Sequence, residues 1–142
     1  MIKRDYYLEK IKDKMWNGSV KIITGIRRCG KSYILNELVR LGCSVDVGVV
    51  DVWDEDGGKK MVRHHEIDFV VNTGFEKIYM QSAFSISDPE YKAREILPMN
   101  KTGDNFRKIV VTSGASRLWT DENGISYVGI LTFLMNPERV LP

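Results

Sequence analysis

Apolar positions recur at helical spacing near the start of the chain. Tyr7, Leu8, Ile11 and Met15 lie three or four residues apart, which predicts a helix over residues 4–15, and Asn17-Gly18 supplies its stop. Residues 20–24, Val-Lys-Ile-Ile-Thr, form a short β-prone run. A glycine-bounded basic loop follows over residues 25–30. Residues 31–41 read as a second helix, with Ile34, Leu35, Leu38 and Leu41 on one face and Gly42 placed to end it.

Beyond Gly42 the pattern changes to strands. Residues 44–53 are Val-rich, Asp54-Glu55-Asp56-Gly57-Gly58 is a turn, and residues 62–71 form a second strand. Asn72-Thr73-Gly74 turns into a third strand over residues 76–85. Asp88 and Pro89 have the chemistry of an N-cap and first helical position, opening a helix to about residue 97. Residues 108–112 and 125–128 are further strands, the second introduced by Asp121-Glu122-Asn123-Gly124, and residues 130–135 form a short final helix. The expected class is α/β. The seam between the two textures falls in or just after residues 31–41.

Composition narrows this only a little. Of 142 residues, 43% are hydrophobic and 28% charged, which suits a folded soluble domain. The formal net charge of +2 is too small to argue for nucleic acid by itself. Cys29 and Cys43 have no metal-ligand spacing and suit a reducing compartment. The charged N-terminus lacks the apolar core of a secretion signal, and no apolar run approaches a membrane span, so the expected location is cytoplasmic.

The sharpest chemical signal is Gly25-Ile26-Arg27-Arg28-Cys29-Gly30-Lys31-Ser32, which fits the phosphate-binding pattern G-x-x-x-x-G-K-[ST]. Its glycines let successive backbone N–H groups turn toward phosphate oxygens, and the following helix adds partial positive charge. Lys31 is then expected to reach the terminal phosphates and Ser32 to bind Mg²⁺. The expected ligands are ATP and Mg²⁺, with Gly25, Ile26, Arg27, Arg28, Cys29, Gly30, Lys31 and Ser32 forming the nucleotide site. Hydrolysis needs further groups: a metal-binding carboxylate on a second strand, a water-positioning residue and often an arginine. Asp51, near the end of an apolar strand, is the one candidate carboxylate, set against the plainer reading of a strand residue on its wet face.

These residues resemble a family of prokaryotic AAA-type ATPases. The likeness runs through Arg4-Asp5-Tyr6-Tyr7-Leu8 and residues 20–32, then through Asn36-Glu37-Leu38-Val39-Arg40, Ser44-Val45-Asp46-Val47-Gly48, residues 66–71 and residues 78–83. In that family an ATPase core precedes a C-terminal domain of restriction-endonuclease-like fold. The resemblance implies a P-loop strand-loop-helix over residues 1–41 fused to a degenerate PD-(D/E)xK-like α/β domain over residues 42–142, with residues 31–41 serving as that domain's first helix. The middle of the ATPase core has no counterpart, as in an internally deleted form, so the implied function is ATP binding with little or no turnover.

PD-(D/E)xK nucleases hold Mg²⁺ on an Asp of one strand and on the acid of the next, with a Lys beside it. Asp68 takes the first position, while Gln81 and Ala83 replace the acid and the lysine. The resemblance therefore implies Asp68 as a residual metal ligand and a nuclease fold without cleavage. Strand alternation gives a plainer reading, in which Glu66, Asp68 and Val70 share a solvated face opposite Ile67, Phe69 and Val71. The adjacent rings of His64 and His65 point to opposite faces and suit a surface role. Lys59, Lys60, Arg63 and Lys77, with Tyr79 or Trp119 for stacking, are candidates for nucleic-acid contact, opposed by the acidic turn at residues 54–56. The alternative function is thus an inactive nuclease-fold module that binds nucleic acid or a protein partner.

Overall fold

A computed structural model describes residues 30–141. The expected helix at residues 4–15, the strand at 20–24 and loop residues Gly25, Ile26, Arg27, Arg28 and Cys29 lie outside the described residues. The described chain runs α1 (Lys31–Arg40), β1 (Ser44–Asp56), β2 (Lys59–Asn72), β3 (Lys77–Ala83), α2 (Pro89–Asn100), β4 (Arg107–Thr112), β5 (Trp119–Thr120), β6 (Ile125–Gly129) and α3 (Ile130–Met135), closing on a 3₁₀ turn at Pro137–Arg139. The strands form a single mixed sheet in the order β1-β2-β3-β4-β6-β5. β1, β2 and β3 meander antiparallel, β3, β4 and β6 run parallel, and the two-residue β5 adds antiparallel to β6.

Local chemistry explains the boundaries. Gly42 leaves α1 with φ 81°, its N–H donates to the Val39 carbonyl, and the Cys43 N–H donates to the Leu38 carbonyl. That pair of bonds is a Schellman ending, which needs a residue tolerant of positive φ. Asp88 caps α2 by accepting from the N–H groups of Glu90 and Tyr91, at 3.0 and 3.5 Å. Gly57 and Gly58, with φ 58° and 80°, give the tight turn that lets β1 and β2 pair all the way to Asp56↔Lys59. These strands are therefore longer than the sequence pattern predicts, because two glycines suffice where a five-residue turn is expected.

The sheet is covered on both faces. On one, Ile34 and Leu38 of α1 and Phe133 of α3 pack with Phe69, Val71, Ile78, Met80, Ile109, Val111 and Val128. On the other, Met99 of α2 packs with Ile67, Tyr79, Val110, Ile125 and Tyr127. The parallel strands are buried on both faces, which is why they read as near-continuous apolar runs. Ile34 and Leu38 are fully buried, so α1 is anchored in this core by about 1.5–3 kcal/mol for each side chain.

The alternation expected in β2 fails at one point. Ile67 and Val70 both pack on the α2 face, three residues apart instead of two, while Phe69 and Val71 face α1. The register with β1 shifts at the same place, from Asp46↔Val70 to Gly48↔Ile67. An extra residue has entered β2, a bulge, and it lies at residues 68–69. Asp68 thus leaves the solvated face that simple alternation gives it.

Candidate functional site

Asp68 is placed by the bulge at the point where β2 parts from β3. The β2–β3 ladder ends at Phe69↔Met80. One residue further, side chains take over from the backbone. The Asp68 N–H donates to Gln81 Oε1 at 3.1 Å, and the Ser82 N–H donates to Asp68 Oδ2 at 2.9 Å. Each strand's polar side chain satisfies the other strand's amide, so neither buried N–H is stranded as the strands diverge.

Lys31, the first residue of α1, completes the cluster. Its Nζ lies 2.6 Å from Asp68 Oδ1, and the two side chains are 15% and 7% exposed. Gln81 extends the chain of contacts to α2 through its Nε2, 3.4 Å from Glu95 Oε2. Burial pushes the Asp68 carboxyl above the usual carboxylate range, opposed by the bonds from Lys31 and Ser82. An ion pair so enclosed is strongly interdependent: removing one partner leaves the other charge buried and uncompensated.

The other motif residues within the described chain have positions of their own. Gly30 precedes α1 with φ 76°, and its carbonyl accepts the first helical bonds, from the Tyr33 and Ile34 N–H groups. A Cβ there would run into the side chain of Ile130 on α3. Glycine is therefore demanded by the left-handed turn and by the packing of α1 on α3. Ser32 is exposed one position into the helix.

Asp51 sits out on the β1–β2 hairpin, its Oδ1 2.6 Å from His64 Nδ1 across the strands, and both side chains are exposed. Among the described residues, no group of three or more His, Cys, Asp or Glu is arranged to hold a metal. The donors around Asp68 do not fit a divalent cation as they stand. Both carboxylate oxygens are bonded to N–H donors, the Gln81 carbonyl accepts the Asp68 amide, and an ammonium stands where a cation would sit.

The candidate nucleic-acid residues are dispersed. Lys59 and Lys60 lie directly opposite Asp56 and Glu55, and Arg63 pairs with Asp54 at 3.6 Å. Lys77 lies over the Phe106 ring. Tyr79 is buried, its hydroxyl donating to Asp104 at 2.6 Å and pushed up to about 12 by burial and that bond. Trp119 stacks on Tyr127 with ring centroids 4.5 Å apart. The basic candidates of the hairpin are therefore matched across the strands by acidic side chains instead of standing alone.

Sequence reading brought Asp68 and Gln81 together but missed Lys31 as their neighbour and Glu95 as a further member. Lys31 is 37 residues from Asp68, and its motif points to phosphate instead. The one available signal was that Lys31 opens a helix whose Ile34 and Leu38 had to face a sheet.

No family model matches the chain, and no solved structure matches it. Among curated proteins, an uncharacterized protein of Haemophilus influenzae is 30% identical over 105 residues. The match covers 74% of this chain and 22% of that relative, so the chain spans about a fifth of the length of the protein it matches.

Proposed function

We propose that residues 31–141 form a catalytically silent, restriction-endonuclease-like module that binds a protein partner, with Lys31 acting as an internal cation of the fold. One observation carries this reading: the 2.6 Å ion pair between Lys31 and Asp68, set in a cluster where Gln81 replaces the second acid. The ammonium neutralises the carboxylate that a nuclease needs for Mg²⁺. Asp68 in turn engages the ammonium that a nucleotide would need at its terminal phosphates.

The β1–β2 hairpin favours protein over nucleic acid as partner. Beyond the bulge no third strand lies beside it among the described residues, and it exposes Val49, Trp53 and Met61. An isolated two-stranded ribbon is marginal in water, which suits a surface covered in use. Residues 44–72 carry seven Asp or Glu against three Lys or Arg. Phosphate backbones are repelled by that balance, whereas a basic protein surface is attracted.

Nucleotide binding is the second reading, favoured by the left-handed Gly30 leading into a helix with no side-chain cap and an exposed Ser32. It requires Lys31 to leave Asp68. Calorimetry with Mg-ATP, beside a nuclease assay with Mg²⁺ or Mn²⁺ and circular dichroism of the same sample, separates the readings. The silent module gives no binding heat at micromolar protein and no cleavage while remaining folded. Micromolar ATP affinity that Lys31→Ala abolishes would establish the nucleotide reading in its place.

A further inference from the structure

β1 ends the sheet. β2 lies on one side of it, and among the described residues no strand lies on the other. An edge strand presents a row of N–H and C=O groups without ladder partners, which proteins commonly protect with a short strand, a lysine or a proline. β1 has none of these. It runs for 13 residues, Ser44–Asp56, and contains no Lys, Arg or Pro. Its charges are all of one sign, at Asp46, Asp51, Asp54, Glu55 and Asp56.

The register fixes which side chains an added strand would meet. Directly opposed residues of an antiparallel pair share a face, and successive residues alternate. Val49, Asp51, Trp53 and Glu55 therefore stand on one face, opposite Glu66, His64, Val62 and Lys60. All four of these β1 residues are exposed, Trp53 by 70% and Val49 by 63%. On the other face Val50 packs against the core under α2. The outer half of β1 thus carries a bare face on which an aromatic ring stands between two carboxylates.

β2 shows what kind of strand this arrangement accepts. From Glu55 back to Asp51 it places Lys60, Val62 and His64, a cation, an apolar side chain and an imidazole. The imidazole meets its carboxylate at 2.6 Å. The same three β1 side chains flank the open edge. A second β1 fits that edge poorly, because it would bring a strand of like charge alongside.

We propose that the outer edge of β1, over residues 49–56, takes up an extended segment of a protein partner as an added antiparallel strand. That segment repeats the β2 pattern of a basic, an apolar and a basic residue at alternate positions. This depends on the domain's being a protein-binding module, and it specifies how the partner is held. Main-chain bonds along the edge supply affinity, while Trp53, Asp51 and Glu55 supply selectivity. The added strand also gives the outer hairpin the third strand that a two-stranded ribbon needs for stability.

A capped synthetic peptide with the sequence of residues 59–65, titrated into the isotope-labelled full chain, tests this without altering the protein. The peptide is expected to slow exchange at alternate amides of residues 49–56 while residues 62–71 keep their protection. Two control peptides, one with Lys60→Glu and His64→Glu and one with a methyl group on each backbone nitrogen, are expected to bind at least about tenfold more weakly. Equal binding of the methylated peptide would overturn strand addition and leave a side-chain contact with a protein partner standing. Equal binding of the acidic peptide would overturn the basic pattern. Protection lost from residues 62–67 would mean that the peptide displaces β2, and alternate protection of residues 49–56 in dilute free protein would mean that the edge is already filled; either overturns the proposal. So does an unchanged hairpin at millimolar peptide. The ATP calorimetry and the nuclease assay do not involve this edge, so they decide the wider reading separately.

Discussion

At the scale of single residues, Lys31 decides how the motif is understood. As an ion-pair partner it has a measurable effect on stability that a phosphate-binding lysine does not have in the absence of ligand. Lys31→Ala is expected to cost about 3 kcal/mol at neutral pH, because Asp68 is left charged and enclosed. Urea unfolding of the two proteins checks this. The pH dependence has a definite sign. Burial raises the Asp68 carboxyl above its unfolded value, so the folded state holds the proton more tightly than the unfolded state. The stability that this difference provides is present at low pH. It is lost as pH rises from the unfolded value near 3.8 through the raised folded value. Without Lys31 the opposing bond is gone and the folded value rises further. The stability of Lys31→Ala should therefore fall more steeply than that of the natural chain as pH rises through and above the weakly acidic range. In Asp68→Asn that slope should vanish from the unfolding curves.

Single elements show which features follow from local chemistry. The Schellman ending at Gly42, the Asp88 cap with Pro89 behind it and the glycine turn at Gly57-Gly58 each depend on a few adjacent residues, so each was legible in the sequence. The bulge at residues 68–69 was not. It arises because β2 must follow β3 up to Phe69 and then continue in the hairpin, and nothing in the alternation of residues 62–71 marks that parting. The Lys31–Asp68 pair was hidden for a related reason: it is made by tertiary placement of a helix whose sequence carries a stronger signal for another chemistry. β5, at two residues, was too short to leave any periodic trace. The bulge also makes a demand on β1. A Cβ on Gly48 would stand 2.9 Å from Val70 Cγ2 and 3.1 Å from Ile67 Cβ. Gly48→Val should thus destabilise by about 1–3 kcal/mol through overpacking, read as a lower denaturation midpoint with an unchanged slope. A loss below about 0.3 kcal/mol would mean that the hairpin can slide past the bulge.

Across the whole molecule, rigidity is distributed unevenly. β3, β4 and β6 are sealed between α1 and α3 on one face and α2 on the other, whereas every residue of the hairpin tip from Trp53 to Met61 is exposed among the described residues. Amide exchange should follow that division: residues 50–62 exchange by local opening, and residues 78–82 and 109–112 only on global unfolding. Uniform protection across the hairpin in dilute protein would show that it already has a partner, such as a second copy. The sequence conveyed an α/β chain with a strand meander leading into a helix and a further strand. That α1 belongs to the same core was implied only by the family resemblance, which gave residues 31–41 to the second domain as its first helix; the apolar pattern did not say which side chains it would meet. Ile34 and Leu38 were visible as an apolar face, yet the face they pack on is assembled from Phe69, Ile78, Met80 and Ile109, residues contributed by three separate strands.

The central claim is that Lys31 serves Asp68. A double-mutant cycle on folding stability tests it most directly, using Lys31→Ala, Asp68→Ala and the double variant, each unfolded in urea at neutral pH. The pair as described predicts a coupling energy of about 2 kcal/mol or more, with the double variant more stable than the sum of the single losses implies. Additive losses, with coupling below about 0.3 kcal/mol, would mean that the two side chains do not depend on each other. The lysine would then be free for the phosphate role that its motif suggests.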